Sequence, residues 1–427
     1  MKTVITMAAA LALLAPGCAR NDNAVVLNDW NFGGRPRLIE WLRTRVTSFE
    51  SAHPGVRVVQ SQKSWNMIRE LLYADYSAGT GPDVVNVHAN YAAEFGGAGY
   101  YYPINTFPDF EQVKRWYVPC MMESTRYGEN YYGLPSSAIA FVLVCNKELF
   151  DREGIAPPRT WSEFRAAARR LTKDTDGDGV IDQYGLVLLG GDRGGFAYRL
   201  IPFFFKAGAR AMTDDLKTVT FNSPEGVEAL QLIADMYQVD HSVTPGFLAY
   251  TLTEINDLFC SNRVAMSIEG PWFRGMVDDK SPGKKFYTVP VPVPDDRIGA
   301  YDTASTLQDM VMYAINARTA HPEQAWELIK YLRNEEADMA WIREDLGATA
   351  TTRSALASPE ASALGDLPLY VHEAQHAIAW PAHPKMIAIA SDIFTPYAEK
   401  AIVGEMTPRE AMDQATREAQ ELIEGKR

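Results

Sequence analysis

Residues 38–59 read LIEWLRTRVTSFESAHPGVRVV. Leu38, Leu42, Val46 and Phe49 recur at helical spacing, which gives a helix one apolar face. His53-Pro54-Gly55 stops that helix, and Val56–Val59 is β-type directly after it. A short β-type run, Ala24–Leu27 (AVVL), stands before it, with a polar and aromatic turn expected at Asn28–Phe32. Met67–Tyr76 is helical again, Gly79-Thr80-Gly81-Pro82 is a turn, and Asp83–Val87 is the next strand. Strands alternating with helices of about 10 to 15 residues predict βαβ units, a mostly parallel sheet and an α/β fold.

The style continues outward. Phe141–Cys145 is strand-like, and Thr160-Trp161-Ser162-Glu163 is a capping box opening a helix through Leu171. Ser223-Pro224 places a cap before a first-turn proline, with Val227, Leu230 and Ala234 as the buried stripe. Val264–Ile268 is a strand entering Gly270-Pro271-Trp272. Tyr287–Pro294 (YTVPVPVP) has proline at every second position, so it is expected extended and not in a central strand. The last hundred residues are mainly helical. Pro322–Leu332 carries Trp326, Ile329 and Leu332 on one side. Thr407–Glu410 is another capping box, leading Met412, Ala415, Ala419 and Leu422 onto a face that should dock on a lobe.

The chain has 427 residues, 47% hydrophobic and 22% charged. That composition suits two or three globular domains of roughly 150 residues each and excludes a disordered chain. Its 41 basic against 54 acidic residues leave −13, a charge that repels nucleic acid. Residues 1–17 have Lys2, an apolar run Val4–Ala15 and small residues before Cys18, a signal peptide pattern too short to span a bilayer. Cys18 after Gly17 is the expected lipidation site, although Pro16 and Ala15 are unusual there. A membrane-anchored lipoprotein on the periplasmic or extracellular face follows. Cys120, Cys145 and Cys260 remain, so at most one disulfide can form. Cys145 reads as a core thiol.

Eight phrases in order carry a family likeness: Phe49–Val59 (FESAHPGVRVV), Gly79–Val85 (GTGPDVV), Tyr132–Pro135 (YGLP), Cys145–Phe150 (CNKELF), Pro157–Arg165 (PPRTWSEFR), Phe221–Leu230 (FNSPEGVEAL), Asn262–Trp272 (NRVAMSIEGPW) and Thr407–Gln414 (TPREAMDQ). Together they resemble the extracellular solute-binding proteins of bacterial ABC importers, the large sugar-binding family 1 group. The resemblance implies a two-lobed periplasmic-binding-protein fold, with hinge crossings and a C-terminal helical segment. Residues 24–135 plus 267–316 would form the N-terminal lobe, and 136–266 plus 317–427 the C-terminal lobe. Crossings would fall near Ser136, Ser267 and Asn316. It also implies no chemistry and no required cofactor. A monomer would capture a mono- or oligosaccharide in the interlobe cleft and deliver it to a permease.

A sugar offers CH faces and hydroxyls, so it wants aromatic platforms beside planar polar groups. Trp272 matches the family's stacking tryptophan, with a core position as its alternative. Trp30 follows the first strand, Trp65 follows the second, and Trp380 lies beside Pro381; each could instead pin a loop. His88 and Asn90 follow the strand Asp83–Val87, where α/β lobes expose ligand groups, or cap the next helix. Ser136 stands beside a crossing. Gln308 and Asp309 are expected in a turn where relatives often have paired glycines. Arg353 could fork onto a carboxylate or sit in a surface ion pair. Ile139 stands where some relatives carry a polar ligand residue, so details of specificity do not transfer.

Two motifs suggest metals. Asp174, Asp176, Asp178, the Val180 carbonyl and Asp182 have calcium-loop spacing, but Gly185 replaces the terminal glutamate, so either a modified structural calcium loop or a metal-free turn fits. His372-Glu373-Ala374-Gln375-His376 is HExxH; with Glu399 as third ligand and Glu373 as base it would make a secreted zinc metallopeptidase. Pro381 closes that helix early, and its surroundings resemble the importer family. A binding protein for a polyol, glycerophosphodiester or peptide, or a sensor feeding a membrane kinase, would share the fold.

Overall fold

The computed structural model describes residues 24–32, 35–300, 306–344 and 349–426. Cys18 and the signal segment lie outside them. Twelve strands follow in chain order among these residues: β1 (Val25–Phe32), β2 (Val56–Lys63), β3 (Val84–His88), β4 (Arg126–Tyr127), β5 (Asn130–Tyr131), β6 (Gly133–Ala140), β7 (Val142–Asn146), β8 (Tyr184–Leu186), β9 (Val264–Glu269), β10 (Phe286–Val289), β11 (Leu307–Ile315) and β12 (Ile378–Ala379).

The opening unit forms as its spacing predicts. Pro36 starts the helix Pro36–Ala52, which buries Trp41, Leu42, Val46 and Phe49. At its end the His53 N–H donates to the Phe49 and Glu50 carbonyls. The chain then turns into β2, which pairs parallel with β1 from Val25↔Val56 to Phe32↔Lys63. β1 is longer than expected. Asn28–Phe32 continues the strand, because Asp29, Asn31 and Phe32 are buried and β2 and β3 pair alongside. The polar residues that suggested a turn serve an interior network instead.

One sheet has the order β12-β11-β3-β1-β2, with β6 also pairing β11; the other is β10-β7-β9-β8. The chain passes from the first to the second at Phe141, between β6 and β7. It returns between β10 and β11. Thr349–Thr352 runs beside β6, where the Ala138 N–H donates to the Thr349 carbonyl at 3.2 Å. Strand partners therefore divide the chain differently from the sequence expectation. Residues 267–289 belong with the second sheet, through β9 and β10. The helices Pro322–Leu332 and Glu335–Arg343 pack Trp326, Ile329 and Trp341 into the first lobe's core beside Leu27, Phe49 and Tyr313. Both lobes have the same α/β periodicity, so local pattern does not say which sheet an element joins.

The proline-alternating segment is an edge element: β10 pairs only β7, and Val293 beyond it is held by Arg159 and Trp161 backbone bonds. All three expected cap residues function. Thr160 and Thr407 complete capping boxes, and the Ser223 Oγ accepts from the Gly226 N–H. The helix Pro408–Ile423 buries Met412, Ala415 and Ala419 against the second lobe. Cys145 is buried, Cys260 partly buried and Cys120 exposed, all as thiols. Burial pushes the Cys145 thiol well above its usual range. No helix among the described residues is long and apolar enough to cross a membrane.

Asp29 is fully buried inside the first lobe, accepting from Asn31 Nδ2 at 2.8 Å and Gln60 Nε2 at 3.1 Å. Burial outweighs those bonds and raises its pKa to about 6. Between about pH 4 and 6 the unfolded chain releases this proton while the folded chain keeps it. Stability therefore falls as pH rises through that window and stays lower above it. At about 1.4 kcal/mol per pKa unit the penalty at neutral pH is about 3 kcal/mol. Asp29→Asn keeps the acceptor without the charge. Urea unfolding should show it about 1–3 kcal/mol more stable at pH 7.5 and unchanged at pH 4.

Candidate functional site: an aromatic interlobe cleft

The helix Arg193–Ala207 of the second lobe opens on Asp192, whose side chain accepts from the Gly195 N–H. That cap directs Tyr198 at the C-terminal ends of the first lobe's strands. The Tyr198 ring stacks on His88, with centroids 5.4 Å apart and planes 19° apart. Its hydroxyl accepts from Asn90 Nδ2 at 2.9 Å. On its own lobe Tyr198 lies nearly parallel to Phe141 at 6.0 Å, and it meets the Trp380 edge at 5.7 Å. Trp65 reaches His88 from the other side at 4.7 Å, and Trp272 stands edge-on to Phe141 at 5.8 Å. The rings thus run Trp65, His88, Tyr198, Phe141, Trp272 from one lobe to the other.

His88 is the last residue of β3, and its Nδ1 lies 2.7 Å from an Asp309 carboxylate oxygen. Burial disfavours the imidazolium, but the charge of Asp309 and its hydrogen bond overcome this and raise the His88 pKa. Among the described residues Trp272 Nε1, Trp380 Nε1 and Asn90 Oδ1 are buried without a hydrogen-bond partner. Two indole donors and one amide acceptor are the complement of a hydroxylated ligand. Ion pairs join the lobes beside the rings: Arg69 bonds Glu94 at 2.8 Å and Asp392 at 3.2 Å, and Arg35 lies 3.8 Å from Asp279.

The structure brings Trp65, His88, Asn90, Trp272, Asp309 and Trp380 together around Tyr198. Four other expected residues stand elsewhere. Trp30 is inside β1, not after it, with Lys63 Nζ 4.5 Å above its ring. Ser136 is buried in β6 and accepts from Asn86 Nδ2 at 2.9 Å. Gln308 and Asp309 are within β11 and not in a turn; nine consecutive buried residues and three strand partners fix that stretch as strand. Gln308 Nε2 donates to the Ala374 carbonyl at 3.0 Å. Arg353 is exposed and donates to the Tyr117 carbonyl at 2.9 Å, with no carboxylate partner among the described residues. Tyr198 and Phe141 escaped the sequence reading. Both lie in apolar runs whose pattern is that of core, and only polar Asn90 and His88 across the cleft distinguish Tyr198.

The HExxH motif does not form a zinc centre among the described residues. His372 and His376 share a helix face with rings 4.7 Å apart, but the helix ends at His376. Glu373 is fully buried between the equally buried Lys206 Nζ at 3.9 Å and the half-exposed His372 Nδ1 at 3.8 Å, and no third metal-ligating side chain joins the histidines among the described residues. Glu399 joins no cluster of metal-ligating side chains. The loop at Asp174 is different: carboxylate oxygens of Asp174, Asp176 and Asp182 lie within 4.8 Å of one another. Asp174 accepts from the Gly177 and Gly179 N–H groups at 2.7 Å, and these bonds hold its pKa below the usual carboxylate range.

Residues 35–339 match the family described as bacterial extracellular solute-binding protein, and the chain belongs to that family. Its members bind a solute and are not enzymes. Curated relatives from Brucella abortus and Brucella suis, named only as binding proteins, are 26% identical over 287 residues, covering 67% of this chain and 66% of theirs. The match thus spans just under two thirds of those relatives. A solute-binding protein of Thermotoga lettingae bound to α-D-tagatose superposes with a TM-score of 0.80 at 24% identity, covering 93% of this chain and 99% of that one. The GacH receptor of Streptomyces glaucescens, solved unliganded and with acarbose, gives 0.82 at 21% identity, covering 94% and 99%. Two α/β lobes around a ligand cleft are the shared architecture.

Proposed function

We propose that this chain captures a neutral carbohydrate in the aromatic interlobe cleft and delivers it to an ABC permease from the outer side of a membrane. The observation that carries this is the ring series from Trp65 to Trp272, bridging the lobes beside unpaired indole donors. Rings take the CH faces of a sugar, and the unpaired donors and acceptor take its hydroxyls. Within the cleft His88 is paired with Asp309 and Arg199 with Glu269, which favours a neutral sugar over a glycerophosphodiester or acidic sugar. The ligands of the Thermotoga and Streptomyces relatives support the same class. Family membership supports a location outside the cytoplasm, and the Cys18 lipid anchor and monomeric state belong to this proposal.

Thermal melting of the chain from residue 19, against D-tagatose, maltose, acarbose and ribitol, tests it. A ligand at 100 times its dissociation constant adds about 2.7 kcal/mol, a shift of a few degrees. Trp272→Ala should lose about 1–3 kcal/mol of ligand binding by calorimetry without loss of fold. Unchanged affinity would remove Trp272 from the site.

The loop Asp174–Asp182 is part of the proposal as a structural calcium loop, with Asp178 and the Val180 carbonyl as further ligands. Calcium should raise the melting temperature, EGTA reverse it, and Asp174→Asn abolish it. A melting curve indifferent to calcium would leave a metal-free turn.

A further inference from the structure

We infer that the buried Arg199–Glu269 ion pair is a positioning device for Trp272, setting the pose of the aromatic platform; the inference rests on the cleft reading above. Arg199 stands one residue after Tyr198, and Glu269 three residues before Trp272. Their side chains are 7% and 0% exposed. The guanidinium engages the carboxylate through Nη2 at 2.7 Å and Nε at 3.5 Å, while Nη1 donates to the Gly195 carbonyl at 3.0 Å. The Ser267 hydroxyl donates to the other side of Glu269 at 2.8 Å. A planar fork bound this way has no freedom to rotate.

That fixed plane lies beside two cleft rings, 5.7 Å from the Trp272 centroid and 5.8 Å from the Phe141 centroid. Trp272 is only partly buried, so core packing alone does not hold it. Its benzo ring rests on Gly270, where a Cβ would come within 2.3 Å of it. The Gly270 carbonyl accepts from the Tyr370 hydroxyl at 3.2 Å, fixing the turn. Glycine beneath, guanidinium alongside and Phe141 at the edge make a built seat. A buried ion pair is often replaceable by apolar side chains of similar volume, so stability alone does not account for this one. A cation–π contact with a fixed cation, in contrast, orients an indole.

The test is fluorine NMR of the chain from residue 19 labelled with 5-fluorotryptophan, its Trp272 signal assigned by Trp272→Phe. It needs no sugar. Arg199→Met and Glu269→Gln should each shift or broaden the Trp272 signal. The double change Arg199→Met with Glu269→Met should recover thermal stability while leaving that signal displaced, which a merely structural pair would not do. A Trp272 signal at the wild-type position in the double variant would overturn the inference. So would a double variant that regains both stability and signal. If Arg199→Met fails to fold, Arg199→Lys keeps the charge without the fork and should still displace the signal. A chain that binds no sugar but shows this coupling would overturn the cleft reading and leave the positioning role standing.

Discussion

Tyr198→Ala is expected to weaken ligand binding by roughly 30- to 1000-fold while leaving each lobe folded. The side chain stacks on His88, lies over Phe141 and meets Trp380. It also receives the hydrogen bond from Asn90. Aromatic contacts contribute about 0.5–1.5 kcal/mol each, and a neutral hydrogen bond about as much. Two of these contacts cross between lobes, so truncation removes about 2–4 kcal/mol from the joined arrangement and, at about 1.4 kcal/mol per tenfold, that range of affinity. Tyr198→Phe keeps the rings and removes the hydroxyl, so it should cost only about fivefold. Calorimetry with the sugar that shifts the melting curve gives the affinities. Small-angle scattering should show Tyr198→Ala more extended than wild type in the same sugar. Wild-type affinity in Tyr198→Ala would mean the ligand sits away from this ring.

Asp338→Ala should be the most destabilising single change described here, at about 3–5 kcal/mol. Asp338 is completely buried and binds Arg333, itself 1% exposed. The same carboxylate accepts from the Thr351 and Thr352 N–H groups at 2.6 and 2.7 Å and from the Thr351 hydroxyl at 3.0 Å. Removing it strands a buried guanidinium and frees the segment that runs beside β6. Cutting that tether should expose the segment to proteolysis as well. Arg333→Met combined with Asp338→Ala should recover a large part of the loss, because no uncompensated charge remains. Urea unfolding at pH 7.5 decides it. An Asp338→Ala midpoint near wild type would mean the guanidinium finds water, and that the pair contributes little.

The elements were legible because burial imposes a period. Leu38 to Phe49, the Thr160 and Thr407 boxes and the β-type run at Val264 all stand where spacing and caps put them. The sheet to which each belongs was not legible, since pairing joins β9 and β10 to β7 but β11 to β3 and β6, partners that no local pattern names. Site residues followed the same rule. Trp272, His88 and Asn90 were visible because they follow or end a strand. Tyr198 was not, because its segment, FAYRLIPFFFKA, has the composition of a core helix, and its partners across the cleft, His88 and Asn90, stand more than a hundred residues away. The pair Arg199–Glu269 is separated by 70 positions, so no spacing rule could join it. Asp309 was expected in a turn; it is a strand residue whose side chain meets His88.

The edge formed by β10 has one more consequence. Pro290, Pro292 and Pro294 follow the strand at every second position. A proline has no N–H to offer, so a neighbouring chain cannot extend the ladder past Val289 on that side. An exported protein has to fold and persist at high local density, and exposed strand edges are where such chains fuse into aggregates. The repeat, expected extended and outside any central strand, closes that route, so replacing these prolines would be felt first in solubility, before any change in what the cleft binds.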